Sequence, residues 1–395
     1  MNFSRMTGPR IALLIAVCLP FLFFAWNLHA QENPLFKIDE TVTRFAFSGD
    51  GRIAFSVRHV FSEKKIQLQR DDIWIAERDG KKRRIFQGDK FARGTMPFSY
   101  AVRGLRWSAD STKLTIELAT SEMINDDGDT REGVATLLFD DTGREISIGG
   151  GDSLVVGATD AAWLADSSTL AYFSEEKKPA AASPRPGNSE TPKEIAPLER
   201  SFSMLRVNVI TGANTALFPG RVFSAITWTA KRDAAIAIER SPETMLHPRL
   251  VELDPANNAS HDLATLDGYA GGLTISPSGK TIAYWVDNGQ LELRDLNATN
   301  LVARVRVALG ILAWSGDGAR MLVKRGPVIR SGDLVWVALP ELANVADGVT
   351  PQTVETLPQA ILHDLEFRQF EISQDGKIMA VVEPGKRNLL VYALP

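Results

Sequence analysis

The chain has 395 residues, a formal net charge of −4, 44% hydrophobic and 23% charged residues. This composition describes a globular protein able to bury a large core, and the charge excludes a general polyanion-binding surface, so nucleic acid is not an expected partner. The single cysteine, Cys18, lies in the N-terminal segment, which leaves residues 31–395 without a thiol for a disulfide or a cysteine-based metal site.

Residues 1–30 open with Arg5 and Arg10, continue as an apolar run from Ile11 to Trp26 and end in Asn27-Leu28-His29-Ala30. This three-part layout is that of a secretory signal with cleavage after Ala30. The large Leu28 keeps an uncleaved N-terminal anchor as the alternative, and the run is slightly short for a membrane span. Both readings put residues 31–395 outside the cytoplasm, in a periplasm or secreted. Contact with a membrane is then expected only through an uncleaved leader.

After the leader, Asn33–Asp39 reads as a short strand standing alone. The stretch Arg44–Phe55, RFAFSGDGRIAF, then reads as strand, tight turn, strand, because Asp-Gly supplies the positive φ that a two-residue hairpin turn needs. The pattern returns six times, at Leu105–Ile116, Ala161–Tyr172, Ile226–Ala237, Leu273–Tyr284, Leu312–Val323 and Phe370–Val381. A hairpin recurring at this spacing predicts an all-β chain folded as a single β-propeller. Seven four-stranded blades are expected, or six if the Ala161 or Ile226 repeat is degenerate.

Each hairpin is followed by a third, apolar strand and a polar turn into a fourth, as in DIWIAE (Asp72–Glu77), the turn Arg78–Lys81 and Arg83–Phe86. The seventh repeat ends on its third strand, Asn388–Leu394, and lacks a fourth. An open edge is a liability, so Asn33–Asp39 is predicted to fill that place and join the two ends of the ring.

The position before the hairpin turn carries Phe47, Trp107, Trp163, Trp228, Ile275, Trp314 and Ile372. Bulky groups recurring there are expected to pack between neighbouring sheets. The Ser/Asp pairs of the turns, such as Ser108 and Asp110, are read as turn-stabilising groups and not as catalytic ones.

In a four-stranded blade, the turns joining strands one to two and three to four share one face. The other connections share the opposite face, and here they hold the inserts: Ser56–Asp71, Gln87–Arg103, Thr120–Gly133 and Ser174–Arg200. Most belong to the first three blades, so this long-loop face is expected to be lopsided and to carry the binding surface. The last insert, with five prolines and little to bury, is expected to be disordered over 174–200. Arg58, His59, Phe61, Phe98 and Tyr100 are the candidate binding residues, since exposed aromatic and basic groups make good interface anchors. Packing within the loops is the alternative for each.

Chemical signals are weaker. Asn125–Asp129 with Glu132 is acidic but lacks EF-hand spacing, and a solvated loop is the expectation. His59, His247, His261 and His363 form no ligand pair in sequence, and no Gly-x-Ser-x-Gly elbow occurs. No catalytic residue, metal or cofactor is assigned.

The hairpins FSGDGRIAF, SPSGKTIAYW and SQDGKIMAV, with third strands such as DIWIAERDG, resemble the WD40-like repeats of TolB-type propellers over about 50–395. The resemblance implies a periplasmic, non-catalytic protein that binds envelope proteins through its propeller. The chain departs from the TolB pattern in having seven repeats and no preceding α/β domain. Similar repeats form the propeller of prolyl-oligopeptidase-type peptidases, whose hydrolase domain follows the propeller. The expectation is therefore a monomeric extracytoplasmic scaffold that binds a protein or peptide of the cell envelope. A propeller hydrolase or lyase acting at the channel mouth is the alternative.

Overall fold

The computed structural model describes residues 33–394 apart from 64–65, 89–97, 124–129, 177–200, 230, 232, 241–246, 267, 269, 287–289, 297–300, 307–308, 326–331, 340–351, 355–359 and 366–368. The described residues form no α-helix. They fold into seven sheets, each built on four antiparallel strands, and a separate two-stranded hairpin; in each the order in space follows the order in sequence, save at the ring closure, and blade 5 carries a fifth, parallel strand. Blade 1, for example, comprises Val42–Phe47, Ile53–Val57, Asp72–Ala76 and Lys82–Phe86. The first strands of neighbouring blades approach one another around a central channel, as Val42–Phe47 does Phe98–Trp107 and Val222–Trp228 does Ala270–Ile275.

A sheet of four short strands cannot bury both faces alone, so each blade needs two neighbours. The core is accordingly divided among the gaps between blades. Ile73 and Ile75 of blade 1 meet Trp107, Leu114 and Phe139 of blade 2. Leu138 of blade 2 meets Trp163 and Leu170 of blade 3. Corresponding clusters fill the other gaps, including that between blades 7 and 1, where Val391 and Ala380 pack with Phe45 and Phe55. Trp107, Trp163 and Trp314, at the position before the hairpin turn, are 2%, 0% and 7% exposed. The Trp107 indole N–H donates to Ala46 O of the preceding blade at 3.2 Å, and that of Trp314 to Thr274 Oγ1 at 3.2 Å.

The hairpin turns confirm a structural role for the Ser/Asp pairs. Ser108 Oγ donates to Asp110 Oδ1 (2.5 Å) while accepting the Lys113 amide (2.9 Å), and Ser315/Asp317 and Ser373/Asp375 repeat the arrangement. Burial raises the Asp110 carboxyl, yet the Ser108 hydroxyl and Thr112 amide outweigh it and hold the group down at about 2.

The ring closes as expected. Phe36–Ile38 pairs antiparallel with Leu389–Ala393, with Phe36 opposite Val391 and Ile38 opposite Leu389, and supplies the missing outer strand of blade 7. Side chains close the channel side of the same seam. Gln369 Nε2 donates to Phe45 O (2.6 Å), Gln369 Oε1 accepts the Phe45 amide (3.2 Å) and Glu371 Oε2 accepts the Phe47 amide (3.1 Å). Two side chains thus imitate a strand ladder across the joint. Burial pushes Glu371 up to about 7, against the opposing pull of the Phe47 amide, Gln369 and the Arg106 charge.

Several inserts differ from their reading as loops. Ser56–Asp71 contains a two-stranded hairpin, Val60–Glu63 with Ile66–Gln69. Thr120–Gly133 is largely strand: Lys113–Met123 and Thr130–Asp140 pair along their whole 11-residue lengths, because each continues the alternation of its buried half. Phe98–Arg103 likewise belongs to the 10-residue first strand of blade 2. The start of the 174–200 insert, Ser174–Glu176, is paired strand, opposite Ser201–Ser203. The rest of that insert, like Asn125–Asp129 and the leader, lies outside the described residues. Blade 5 also gains an unforeseen fifth strand, Gln352–Val354, parallel to Leu301–Arg306, from the connection that follows the third strand of blade 6.

Removing residues 33–39 deletes a paired strand and the buried Ile38, and calorimetry should show melting lowered by about 5 °C or more. Trp163→Ala should cost about 3–5 kcal/mol in denaturant unfolding, as expected for a fully buried ring. The folded form of Glu371 holds its proton more tightly than the ordinary value of 4.5, so stability should fall as pH rises between about 4.5 and 7. Melting curves of Glu371→Gln across that range should be flatter than those of the wild type.

Candidate functional site

The long-loop face is built unevenly, and the unevenness begins with one buried carboxylate. Asp71 is 0% exposed; its Oδ2 accepts the Val102 amide (3.0 Å) and the Thr43 hydroxyl (3.2 Å), and its Oδ1 accepts Gln69 Nε2 (3.2 Å). Burial raises its pKa, while the Val102 amide and the Arg58 charge act against the rise. The Tyr100 hydroxyl donates to Asp71 O (2.9 Å), and Ser99 Oγ accepts the Gln69 amide and donates to Gln69 O (2.9 and 2.8 Å). Together these bonds fasten the blade 1 hairpin to the projecting top of blade 2.

The five candidate residues therefore divide. His59 stacks on Phe61 with ring centroids 5.7 Å apart, Arg70 lies 4.6 Å over the Phe61 ring, and the neighbouring Val60 is 48% exposed. Arg58 is half-buried beside them, with a buried Nε that has no hydrogen-bond partner among the described residues. Tyr100 is 2% exposed and packs between blades 1 and 2, so the role of exposed anchor does not hold for it. Phe98 pairs through its backbone with Glu122 at the top of blade 2. Arg58, His59 and Phe61 thus share one corner of the face.

Blade 2 also borders a feature the sequence did not disclose, a cavity of about 1480 Å³. It runs from the channel strands of blades 1–4 outward along the side that blade 2 turns toward blade 3. Its walls carry Arg44, Arg103, Arg106 and Arg131 together with Glu117, Glu122, Glu132 and Asp160. Arg106 Nη1 donates across the blade gap to Asp160 O (2.9 Å) and Ala161 O (3.1 Å), and Glu117 Oε2 accepts the Asp160 amide (2.8 Å). Asp160 is held at φ 51, within a bulge of its strand. Arg44 donates to Arg103 O and Thr43 O, both at 2.8 Å, and Arg131 pairs with Glu122 at 2.6 Å. Pairs this exposed are worth at most about 1 kcal/mol each. The arrangement therefore offers both signs of charge, and backbone, to a visiting chain.

Among the described residues no three histidine, aspartate or glutamate side chains converge as a metal site would need. The signal that could have found the cavity, the alternation in KLTIELATSEM and TREGVATLLFD, is interrupted by charged and small residues around Thr120 and Thr130.

No protein-family model matches the chain, and neither does any curated protein. Solved structures do. A chain of the mitotic checkpoint complex superposes with a TM-score of 0.54 at 11% identity, over 92% of this chain and 93% of that one. The Cps50 (Swd1) β-propeller domain of Myceliophteria thermophila gives 0.53 at 14% identity, over 92% and 99%. TolB from Acinetobacter baumannii gives 0.40 at 13% identity, over 74% and 62%. With seven consecutive blades of four antiparallel strands around one channel, closed by a strand from the opposite end of the chain, this protein is a seven-bladed β-propeller.

Proposed function

We propose that the protein is a non-catalytic binding scaffold acting outside the cytoplasm, and that it captures a protein or peptide of the cell envelope on its long-loop face. The observation that carries this reading is the asymmetry of that face. A hairpin on blade 1 and the tall strands of blade 2 rise on it, and the blade 2 strands line a cavity of about 1480 Å³, whereas among the described residues the opposite face is made largely of tight hydrogen-bonded turns. That volume exceeds the roughly 300–1,000 Å³ of a small-molecule site and suits a segment of polypeptide. Val156 (76% exposed) lines the cavity and Val60 (48% exposed) stands at the blade 1 hairpin, and these are the apolar groups open to a partner, with Arg58, His59 and Phe61 as anchors beside Val60. The basic start and apolar run of residues 1–30 support export. The fold likeness to a member of a multiprotein complex fits a scaffold's role.

The test is affinity capture from solubilised envelope extract with tagged residues 31–395, identifying bound proteins by mass spectrometry. Val60→Arg and Val156→Arg should each lower recovery of the partner at least tenfold. Ile210→Arg, at an equally exposed site (75%) in a turn of the opposite face, should leave recovery unchanged. Loss with Ile210→Arg alone would move the binding surface to the other face. The absence of any captured protein would remove the scaffold reading.

A further inference from the structure

The third strand of blade 2, Thr130–Asp140, is paired along its whole length on one side but only in part on the other. The outer strand of that blade, Leu154–Val156, reaches only Ala135–Leu137. There the chain turns away to blade 3 through Gly157 at φ 78, whose amide makes a last bond to Val134 O at 2.7 Å. Thr130–Gly133 consequently presents a bare strand edge among the described residues, and Arg131, Glu132 and Gly133 are exposed.

The parity of the pairing identifies the free groups. Val134 and Leu138 direct main-chain bonds toward the outer strand, through Val134 O and the Leu138 amide, so Glu132 and Thr130 direct theirs to the same, empty side. Gly133 adds no side chain to that rim. Arg131, Glu132, Gly133 and Val134 also line the cavity, which leaves room at the edge.

We propose that Thr130–Gly133 is a strand-addition site, where an extended segment of a partner pairs antiparallel to blade 2 in line with Leu154–Val156. An alternating row of free N–H and C=O groups is complementary to another extended backbone, and main-chain bonds supply affinity in such sites while side-chain pockets supply specificity. The charges beside the edge fit a mixed polar segment: Arg131 is held by Glu122, while Glu132 carries a carboxylate with no ion-pair partner among the described residues. This inference rests on the long-loop face being the binding surface and assigns the mode of capture.

The probe is an acetylated and amidated octapeptide, Lys-Thr-Val-Thr-Val-Thr-Val-Lys, with versions N-methylated on every second residue in each of the two registers. The full chain should bind the plain peptide saturably at up to millimolar concentration and bind one methylated version at least tenfold more weakly. Glu132→Pro removes only the edge-facing donor, and the strand-facing amides of Arg131 and Gly133 keep their pairing. It should abolish binding with melting little changed, whereas Glu132→Ala should retain it. Independently of any variant, hydrogen exchange at 130–133 should slow at least tenfold with peptide present. Equal binding of all peptide versions, loss with Glu132→Ala, unaltered exchange or no binding would each overturn the proposal. So would a concentration-dependent dimer abolished by Glu132→Pro, which would give the edge to a second copy. Capture of an envelope partner that survives Glu132→Pro but fails with Val156→Arg would overturn this mode alone and leave the scaffold reading standing.

Discussion

The packing of one sheet against the next governs this molecule. Each blade is too small to hold its own core, so apolar side chains of two blades meet in every gap, and no blade is complete unless both neighbours are present. The tryptophans and other bulky groups before the hairpin turns serve that gap, and their indole N–H groups reach backbone or hydroxyl oxygen on the preceding blade where geometry allows. Once the gaps are filled, the turns are fixed by local Ser/Asp bonds and have little freedom left to vary. Variation is pushed to the opposite rim.

On that rim the same constraint explains the shape of the long-loop face. Strands may lengthen upward without disturbing the gaps below, as blade 2 does, and the added length needs a partner for its new edges. On its channel side, blade 2 finds one in the blade 1 hairpin, through Ser99, Tyr100 and the buried Asp71. On its outer side it finds none past Gly157 among the described residues. The polar lining of the cavity follows from this construction, because strand extended beyond the gap no longer faces an apolar neighbour.

Much of the fold was legible in the sequence because it is carried by local signals. Turn residues at a fixed place in each hairpin, alternation on either side and an incomplete last repeat sufficed to expect seven blades and the closure by Asn33–Asp39. The site was less legible, because its parts are set by long-range neighbours. Tyr100 reads as an exposed loop aromatic until blade 1 is placed beside it, and the alternation around Thr120 and Thr130 was masked by charged and small residues. Nothing local announces that Arg106 will reach Asp160 or that Gln369 and Glu371 will bond to the first blade. The parallel strand Gln352–Val354 had no turn or periodic pattern to give it away.

The pairing of Phe36 with Val391 also sets an order of events. The contact spans nearly the whole chain, and such distant contacts form late because the loop must close before the bonds compensate for its entropy. A chain emerging from its N-terminus carries residues 36–38 unpaired until Leu389–Ala393 have been made. Until that moment the first blade lacks one of its neighbours and the last lacks its edge strand. Any chaperone or membrane contact that guards the N-terminal strand must therefore outlast synthesis, and a nascent chain released a few residues early would remain an open ring.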